Sequence, residues 1–101
     1  MNDWNDGVLP HGSLEQLAEN LWLVRGSLPR GNLPRAMVIY RLDDGRLLIH
    51  SAIALDEAGM AAIDALGVVT FIIVPNAFHR LDAARYKARY PSAQVLTPSF
   101  V

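Results

Sequence analysis

The sequence contains no cysteine, no long apolar run and no excess of one charge. Without cysteine, disulfides and thiolate metal sites are excluded. No segment approaches the roughly 20 consecutive apolar residues of a membrane helix. The opening MNDWNDGVLPHG lacks the basic and apolar regions of a signal peptide. These absences predict a cytoplasmic protein with no membrane partner.

Positive and negative side chains alternate in blocks along the chain. Lysine and arginine total 9, aspartate and glutamate total 10, and the formal net charge is −1. Proteins that bind nucleic acid present a basic stripe, often with interleaved aromatic residues, and no such stripe occurs in this sequence. We therefore expect no nucleic-acid partner.

The composition is that of one folded domain. Of the 101 residues, 51% are hydrophobic and 19% are charged, as in globular proteins. A chain of this length builds a single modest core. We interpret residues 1–17 as a polar arm and residues 18–98 as the folded unit. His11 is expected to be solvated, and Trp4 and Trp22 to be packing residues.

The first folded segments read as strands. Apolar residues predict a short strand over 21–25, and the glycines and prolines of 26–35 predict a loop. Two apolar runs, AMVIYRL and RLLIHSA, then flank Asp43-Asp44-Gly45, and runs on both sides of an Asp-Gly pair predict a β-hairpin. The arginines in and beside the loop are interpreted as a solvated face: Arg25, Arg30 and Arg35.

A helix and a strand follow the hairpin. Apolar residues at helical spacing predict a helix over 55–66, whose buried stripe would comprise Leu55, Gly59, Ala62, Ile63 and Leu66. Gly67 stands where a left-handed C-cap belongs. Both parities of the next run, VVTFIIV, are apolar, which is typical of a strand that is buried on both faces of a parallel sheet.

A second helix is predicted over 79–90, where Asp82 opens the first turn, basic residues close the last, and Pro91 stops the helix. Its apolar stripe would comprise Phe78, Leu81, Ala84 and Ala88. AQVLTP is a last short strand. The fold class is therefore α/β with a mixed, α+β-like sheet: an antiparallel meander followed by two right-handed βαβ crossovers.

Three stretches carry a resemblance to a known superfamily: LAENLWLVRG, MVIYRLDDGRLLIHSAIALDEAGMAAIDALG and VTFIIVPNAFHRLDAARYKARYPSAQVLTP. Together they resemble the N-terminal half of a metallo-β-lactamase-fold protein, and in particular an uncharacterised bacterial family with a His-Ser pair after the third strand and Pro-Asn-x-x-His after the fourth. The resemblance implies half of an αββα sandwich, in which two such halves stack sheet on sheet.

The metal-binding box of that superfamily is missing. Metal-dependent members carry Thr-His-x-His-x-Asp-His after the buried strand, because two close metal ions need converging imidazoles and a carboxylate. Aligned with that box, the ligand positions of this chain are occupied by Asn76, Phe78, Arg80 and Leu81, and His50 replaces an aspartate at the end of the third strand. The resemblance therefore implies no dinuclear site, and we expect no metal cofactor.

The strand ends still gather a few polar residues. His50 and Ser51 end one predicted strand and Asn76 and His79 end the next, and ligands of open α/β sheets bind beyond such carboxyl ends. Three functional interpretations stay open. One is a single zinc, iron or manganese ion on His50 and His79. A second is a general base, with His50, Ser51 and His79 as catalytic candidates. The third is an anion site with the ligand-binding candidates Asn76, His79 and Arg80.

The competing interpretation is structural: His79 caps the second helix, and His50 bonds to the opposite turn.

Half of a sandwich also leaves an apolar sheet face without cover, which soluble monomers do not tolerate. We therefore expect a homo-oligomer or a missing C-terminal half. The preferred function is a catalytically degenerate metallo-β-lactamase-like domain, a binding or dimerisation module. The alternative is a metal-dependent hydrolase whose site is completed by a second chain or by the missing half.

Overall fold

The computed structural model describes residues 4–27, 34–75 and 82–97. In these ranges the chain forms a six-stranded mixed sheet and two helices: β1 Glu15–Ala18, β2 Leu21–Ser27, β3 Pro34–Arg41, β4 Arg46–His50, α1 Glu57–Leu66, β5 Val68–Ile73, α2 Ala83–Arg89 and β6 Gln94–Leu96. The strands lie side by side in chain order. From β1 to β4 the neighbours are antiparallel, and β4, β5 and β6 are parallel. The predicted mixed α/β architecture is confirmed.

The predicted hairpin joins β3 to β4. Its turn is closed by hydrogen bonds from the Leu42 amide to the Arg46 carbonyl at 2.8 Å and from the Gly45 amide to the Leu42 carbonyl at 2.9 Å. Gly45 has φ 88°, a left-handed conformation that favours glycine. The Asp44 carboxylate accepts hydrogen bonds from the Arg46 backbone and guanidinium, and these hold the pKa of Asp44 below its usual value. The Asp-Gly pair therefore forms the turn it predicts.

Helix α1 begins after Asp56, whose carboxylate accepts a hydrogen bond from the Gly59 amide at 2.8 Å. The helix buries Met60 and Ile63, while Ala62 of the predicted stripe is exposed. Gly67 is not a left-handed cap, because its φ of 164° is extended. The predicted reason for a glycine at position 67, a left-handed conformation, is therefore wrong. A Cβ atom there would overlap the Gly45 carbonyl, which accepts the Val68 amide at 3.1 Å.

Helix α2 is shorter than predicted and buries a different stripe. Ala83 and Tyr86 are buried, whereas Ala84 and Ala88 are exposed, so the predicted stripe is wrong over the described residues; its other members, Phe78 and Leu81, lie outside them. The Tyr86 hydroxyl donates to the Ile53 carbonyl at 2.6 Å. Burial raises the pKa of Tyr86, which keeps the phenol protonated as a donor. One aromatic residue thus outweighs two alanines in orienting the helix.

One face of the sheet carries the core. Alternate residues of four strands are buried on it, as expected for strands covered on one side: Trp22, Val24, Met37, Ile39, Leu47, Ile49, Val69 and Ile72. Both helices pack against this face through Met60, Ile63, Ala83 and Tyr86. None of the helices in the described ranges is long and apolar enough to span a membrane.

The opposite face of the sheet is apolar too, and we call it the open face. Its apolar part is formed by alternate residues of β2 to β6, with His50 among them: Leu21, Leu23, Val38, Tyr40, Leu48, His50, Val68, Phe71, Ile73 and Leu96. Arg25, Arg46 and Gln94 lie on the same side of the sheet, at the edges of this part. No described helix covers it. Val68 is 69% exposed, Leu96 44% and Tyr40 42%. The prediction that β5 is buried on both faces is therefore wrong, because the helices of both crossovers pack on the same side.

Candidate functional site

The candidate site lies at the carboxyl end of β4, where a hydroxyl and an imidazole meet. His50 is the last residue of the strand, and Ser51 follows with φ 62°, a left-handed conformation that is uncommon outside glycine. The Ser51 amide donates to the Ile73 carbonyl of β5 at 3.0 Å. This turn brings Ser51 Oγ to 3.1 Å from His50 Nδ1. The sequence places both residues correctly, and the structure brings them into contact.

The contact lacks the other parts of a nucleophilic site. Ser51 is only 5% exposed, so its hydroxyl presents little surface to a substrate. Within the described ranges no carboxylate is hydrogen-bonded to His50, and no group of three or more His, Cys, Asp or Glu side chains could hold a metal ion. A serine nucleophile needs a base that is oriented by a third group and donors for the oxyanion. The described geometry is that of a local hydrogen bond.

The other predicted site residues fall in a segment that the structure does not describe. Asn76, His79 and Arg80 lie within 76–81, as do Phe78 and Leu81 of the box alignment. The metal pair of His50 and His79 and the anion site of Asn76, His79 and Arg80 therefore stay predictions. So does the capping role of His79.

His50 lies on the central strand of the open face, at the carboxyl end of that strand. Cross-strand pairing places it in one row with apolar neighbours: Leu23, Val38, Ile73 and Leu96. The next row is also apolar apart from its edge: Leu21, Tyr40, Leu48, Phe71 and Gln94. Arg46 lies further along β4, 5.5 Å above the Phe71 ring, and pairs with Asp44 at 2.7 Å. The imidazole is thus a polar group within an apolar surface.

A buried ion pair that was not predicted from the sequence lies on the helix side of the sheet. Arg35 Nη2 donates to Asp82 Oδ2 at 3.1 Å, and the two side chains are 8% and 7% exposed. The same oxygen accepts the Ala54 amide at 2.9 Å. The prediction of a solvated Arg35 is wrong. Arg25 is exposed, as predicted, and it pairs with Glu15. Arg30 lies outside the described residues. Strand alternation carries the missing signal, because Arg35 shares the parity of Met37 and Ile39.

The arm is fixed to the folded unit by His11, and the prediction that His11 is solvated is wrong. His11 Nε2 accepts the Asp56 amide at 2.9 Å, and Nδ1 lies 2.8 Å from the Gly12 carbonyl. The side chain is 11% exposed. Because both ring nitrogens are occupied, neither is available to bind a ligand in the cavity of about 460 Å³ that His11 lines with the start of α1.

Trp4 anchors the same arm to α2. Its indole donates to the Leu55 carbonyl at 2.7 Å and meets the Tyr86 ring edge to face at 6.3 Å. The guanidinium groups of Arg85 and Arg89 lie 4.5 Å and 4.7 Å from the indole centre. The interpretation of Trp4 as a packing residue is confirmed, as it is for Trp22 in the core.

Comparison with known proteins assigns no family to this chain. No family model and no curated protein matches the sequence. The site is therefore interpreted from its own residues: a hydroxyl–imidazole contact at a strand end, within an apolar sheet face that no described helix covers.

Proposed function

We propose that this chain is a catalytically degenerate domain of the metallo-β-lactamase-like type that works as a binding or dimerisation module through its open face. The observation that supports this proposal is the apolar open face itself. A contiguous exposed apolar surface on a folded domain marks a site of interaction. The cytoplasmic location and the absence of nucleic-acid and membrane partners are part of the same proposal.

The sheet topology supports the half-sandwich. An antiparallel meander leads into two parallel crossovers, and both helices pack on one side. In an αββα sandwich the helices lie outside and the sheets meet face to face about 10 Å apart. The open face corresponds to the inner surface of such a sandwich. Another protein surface that covers it would complete the layered architecture.

The side chains support the proposal that the site is catalytically degenerate. At the positions of the metal box the sequence offers only one weak ligand, Asn76, together with Phe78, Arg80 and Leu81. Ser51 is turned into the protein, and no described carboxylate orients His50. A site with these groups lacks both a metal-bound nucleophile and an activated serine.

The proposal is tested by the oligomeric state of two matched variants. Tyr40→Glu introduces a charge into the open face, and Val95→Glu introduces the same charge at an exposed position on the helix side of the sheet. We expect light scattering coupled to size exclusion to give a dimer mass for the wild type and for Val95→Glu at micromolar concentration, and a monomer for Tyr40→Glu. A well-behaved wild-type monomer would contradict dimerisation.

The second candidate is a metal-dependent hydrolase whose site is completed by a second chain or by a missing C-terminal half. The left-handed backbone of Ser51 beside the Ser51–His50 contact favours it, since such strain clusters at functional sites. Elemental analysis of protein purified without chelator separates the two candidates. Stoichiometric zinc, iron or manganese that is lost in His50→Ala and His79→Ala would contradict the degenerate domain. Metal-free protein would rule out the metal-dependent hydrolase.

A further inference from the structure

We propose that the outer edge of β6 binds the C-terminal end of an extended peptide, which adds to the sheet as a further strand and places its carboxylate at the ammonium of Lys87. The outer edge is the side of Gln94–Leu96 that faces away from β5. It is separate from the open face, so the inference does not depend on the proposed function.

The backbone of Val95 points to the outer edge. The Val74 amide donates to the Leu96 carbonyl at 2.9 Å, so the backbone groups of Leu96 face β5. Successive residues of a strand direct these groups to opposite sides, and the amide and carbonyl of Val95 therefore face away from β5. Within residues 4–27, 34–75 and 82–97, no strand pairs with them. An unpaired donor and acceptor at a sheet edge are a template for another strand.

The two edges of the sheet differ in how they are shielded. Strand β1 carries the charge of Glu15 and an irregular pairing between Gln16 and Ala18, and charges and bulges are features that keep edges from pairing. Strand β6 has neither, because its three residues are uncharged and its pairing with β5 is regular. Its Val95 and Leu96 are 38% and 44% exposed. Only the shortness of β6 limits pairing, which suits a short peptide end.

A fixed cation lies where β6 begins. The Lys87 ammonium donates to the Pro91 carbonyl at 2.7 Å and to the Ala93 carbonyl at 2.6 Å, which uses two of its three N–H groups. Lys87 is exposed, and no carboxylate of the described residues is paired with it, whereas most of the described arginines have such a partner. The remaining N–H and the uncompensated charge favour a carboxylate ligand.

The position of Lys87 determines the direction of the peptide and where it ends. The Ala93 amide already donates to the Tyr90 carbonyl at 2.9 Å, and the Ala93 carbonyl accepts from Lys87, so a ladder that pairs with Val95 stops before Ala93. An antiparallel strand points its C-terminal end toward this cation, and its terminal carboxylate reaches the ammonium roughly one or two residues past the residue opposite Val95. A parallel strand would bring its cationic N-terminus there instead.

The exposed side chains of β6 define the peptide further. Val95 lies on the helix side of the sheet and Leu96 on the side of the open face. Residues that lie opposite each other in an antiparallel ladder share a face of the sheet. The peptide residue opposite Val95 and the residue before it therefore each meet an exposed apolar side chain. The ligand class is a peptide with two apolar, β-branched residues shortly before a free C-terminal carboxylate.

The test is an NMR titration of the full, ¹⁵N-labelled chain with the peptide acetyl-Ser-Thr-Val-Val-Thr, which has a free C-terminal carboxylate. One backbone pair predicts weak binding, with a Kd on the order of 1 mM. We expect saturable shifts centred on the Val95 amide, and hydrogen exchange of that amide, fast in the free protein, should slow in the complex. The same peptide with a C-terminal amide should bind at least about threefold more weakly. An analogue that is N-methylated at the second valine should not bind.

Three variants locate the site. Val95→Pro removes the outward amide and should fold like the wild type but lose peptide binding, because proline is tolerated on an edge strand where the N–H faces solvent. Lys87→Gln should bind the free acid no better than the amide peptide. Tyr40→Glu, on the open face, is the control and should bind the free acid like the wild type.

Several outcomes would overturn the inference. Unfolding of Val95→Pro would show that this amide pairs inside the sheet, and a folded Val95→Pro that still binds would exclude the outer edge. Equal affinity for the acid and the amide peptide would exclude the carboxylate contact. So would the lack of saturable shifts at roughly 5 mM peptide exclude the site itself. The oligomeric state of the wild type bears on none of these results, so the proposed function stands or fails separately.

Discussion

At the scale of single residues, the backbone of Gly67 lies close against that of Gly45, where β4 and β5 begin. A side chain at Gly67 would overlap the Gly45 carbonyl, whereas a Cβ at Gly12 would lie 3.7 Å from the Arg25 carbonyl, an ordinary contact. We predict that Gly67→Ala lowers the free energy of unfolding by about 1–3 kcal/mol, because the clash is with backbone that cannot move aside.

The matched control for that prediction is Gly12→Ala. Its backbone is not in the left-handed region, and an added Cβ would make only an ordinary van der Waals contact. Alanine there restricts the unfolded chain and should change stability by no more than about +1 kcal/mol. Urea denaturation of both variants, followed by circular dichroism, makes the comparison. Equal midpoints for Gly67→Ala and the wild type would show that the two strand starts can separate without cost.

The positions of the candidate-site residues could be predicted from the sequence, but the orientation of Ser51 could not. His50 and Ser51 could be placed at a strand end because the hairpin pattern fixes where β4 stops. The inward turn of Ser51 could not be predicted, since a left-handed serine has no sequence signal of its own. The residue pattern alone did not show that one face of the sheet is exposed, because apolar residues at both parities also describe a strand that is covered on both sides. The uncovered face was expected only from the resemblance to half of a sandwich.

At the scale of elements, Asp82 joins three parts of the chain. Its carboxylate binds Arg35 at the start of β3 and the Ala54 amide between β4 and α1, while its backbone begins α2. We predict that Asp82→Ala lowers the free energy of unfolding by about 3–5 kcal/mol, because it leaves the buried Arg35 cation without a partner.

The double variant Arg35→Met, Asp82→Ala identifies the cause of that loss. Removing the unpaired Arg35 cation should recover part of the lost stability, since a buried methionine side chain carries no uncompensated charge. Asp43→Ala, at an exposed position in the hairpin turn, is the control and should stay within about 0.5 kcal/mol of the wild type. Thermal and urea unfolding report all of these variants. A double variant no more stable than Asp82→Ala would mean that the carboxylate acts mainly through the Ala54 amide.

The elements were predictable to different degrees, for physical reasons. The hairpin and α1 carry strong local signals, an Asp-Gly turn and apolar residues at helical spacing. Helix α2 is alanine-rich, so its sequence does not show which side faces the sheet, and Tyr86 decides that through a bond to the Ile53 carbonyl. Strand β1 was missed because all of its residues are exposed and its pairing with β2 is irregular.

At the scale of the whole molecule, the proposed dimer makes stability depend on concentration. If the folded copies associate, each tenfold rise in protein concentration stabilises the dimer by about 1.4 kcal/mol. We predict that the thermal midpoint of the wild type at pH 7.5 rises with concentration, whereas that of Tyr40→Glu does not. Differential scanning calorimetry over a hundredfold range measures both. A concentration-independent wild type would contradict a dimer that unfolds as it dissociates.

The strand order has a consequence for how the chain acquires its fold. Strands β1 to β4 pair with their neighbours in sequence and are separated by few residues of chain, so little chain entropy is lost in bringing them together. Strand β5 reaches β4 only after residues 51–67 have crossed over, and β6 repeats that step. Loop closure of this kind slows parallel pairing. We therefore expect the meander to form first, as a small sheet with two apolar sides, and the crossover helices to cover one of those sides afterwards.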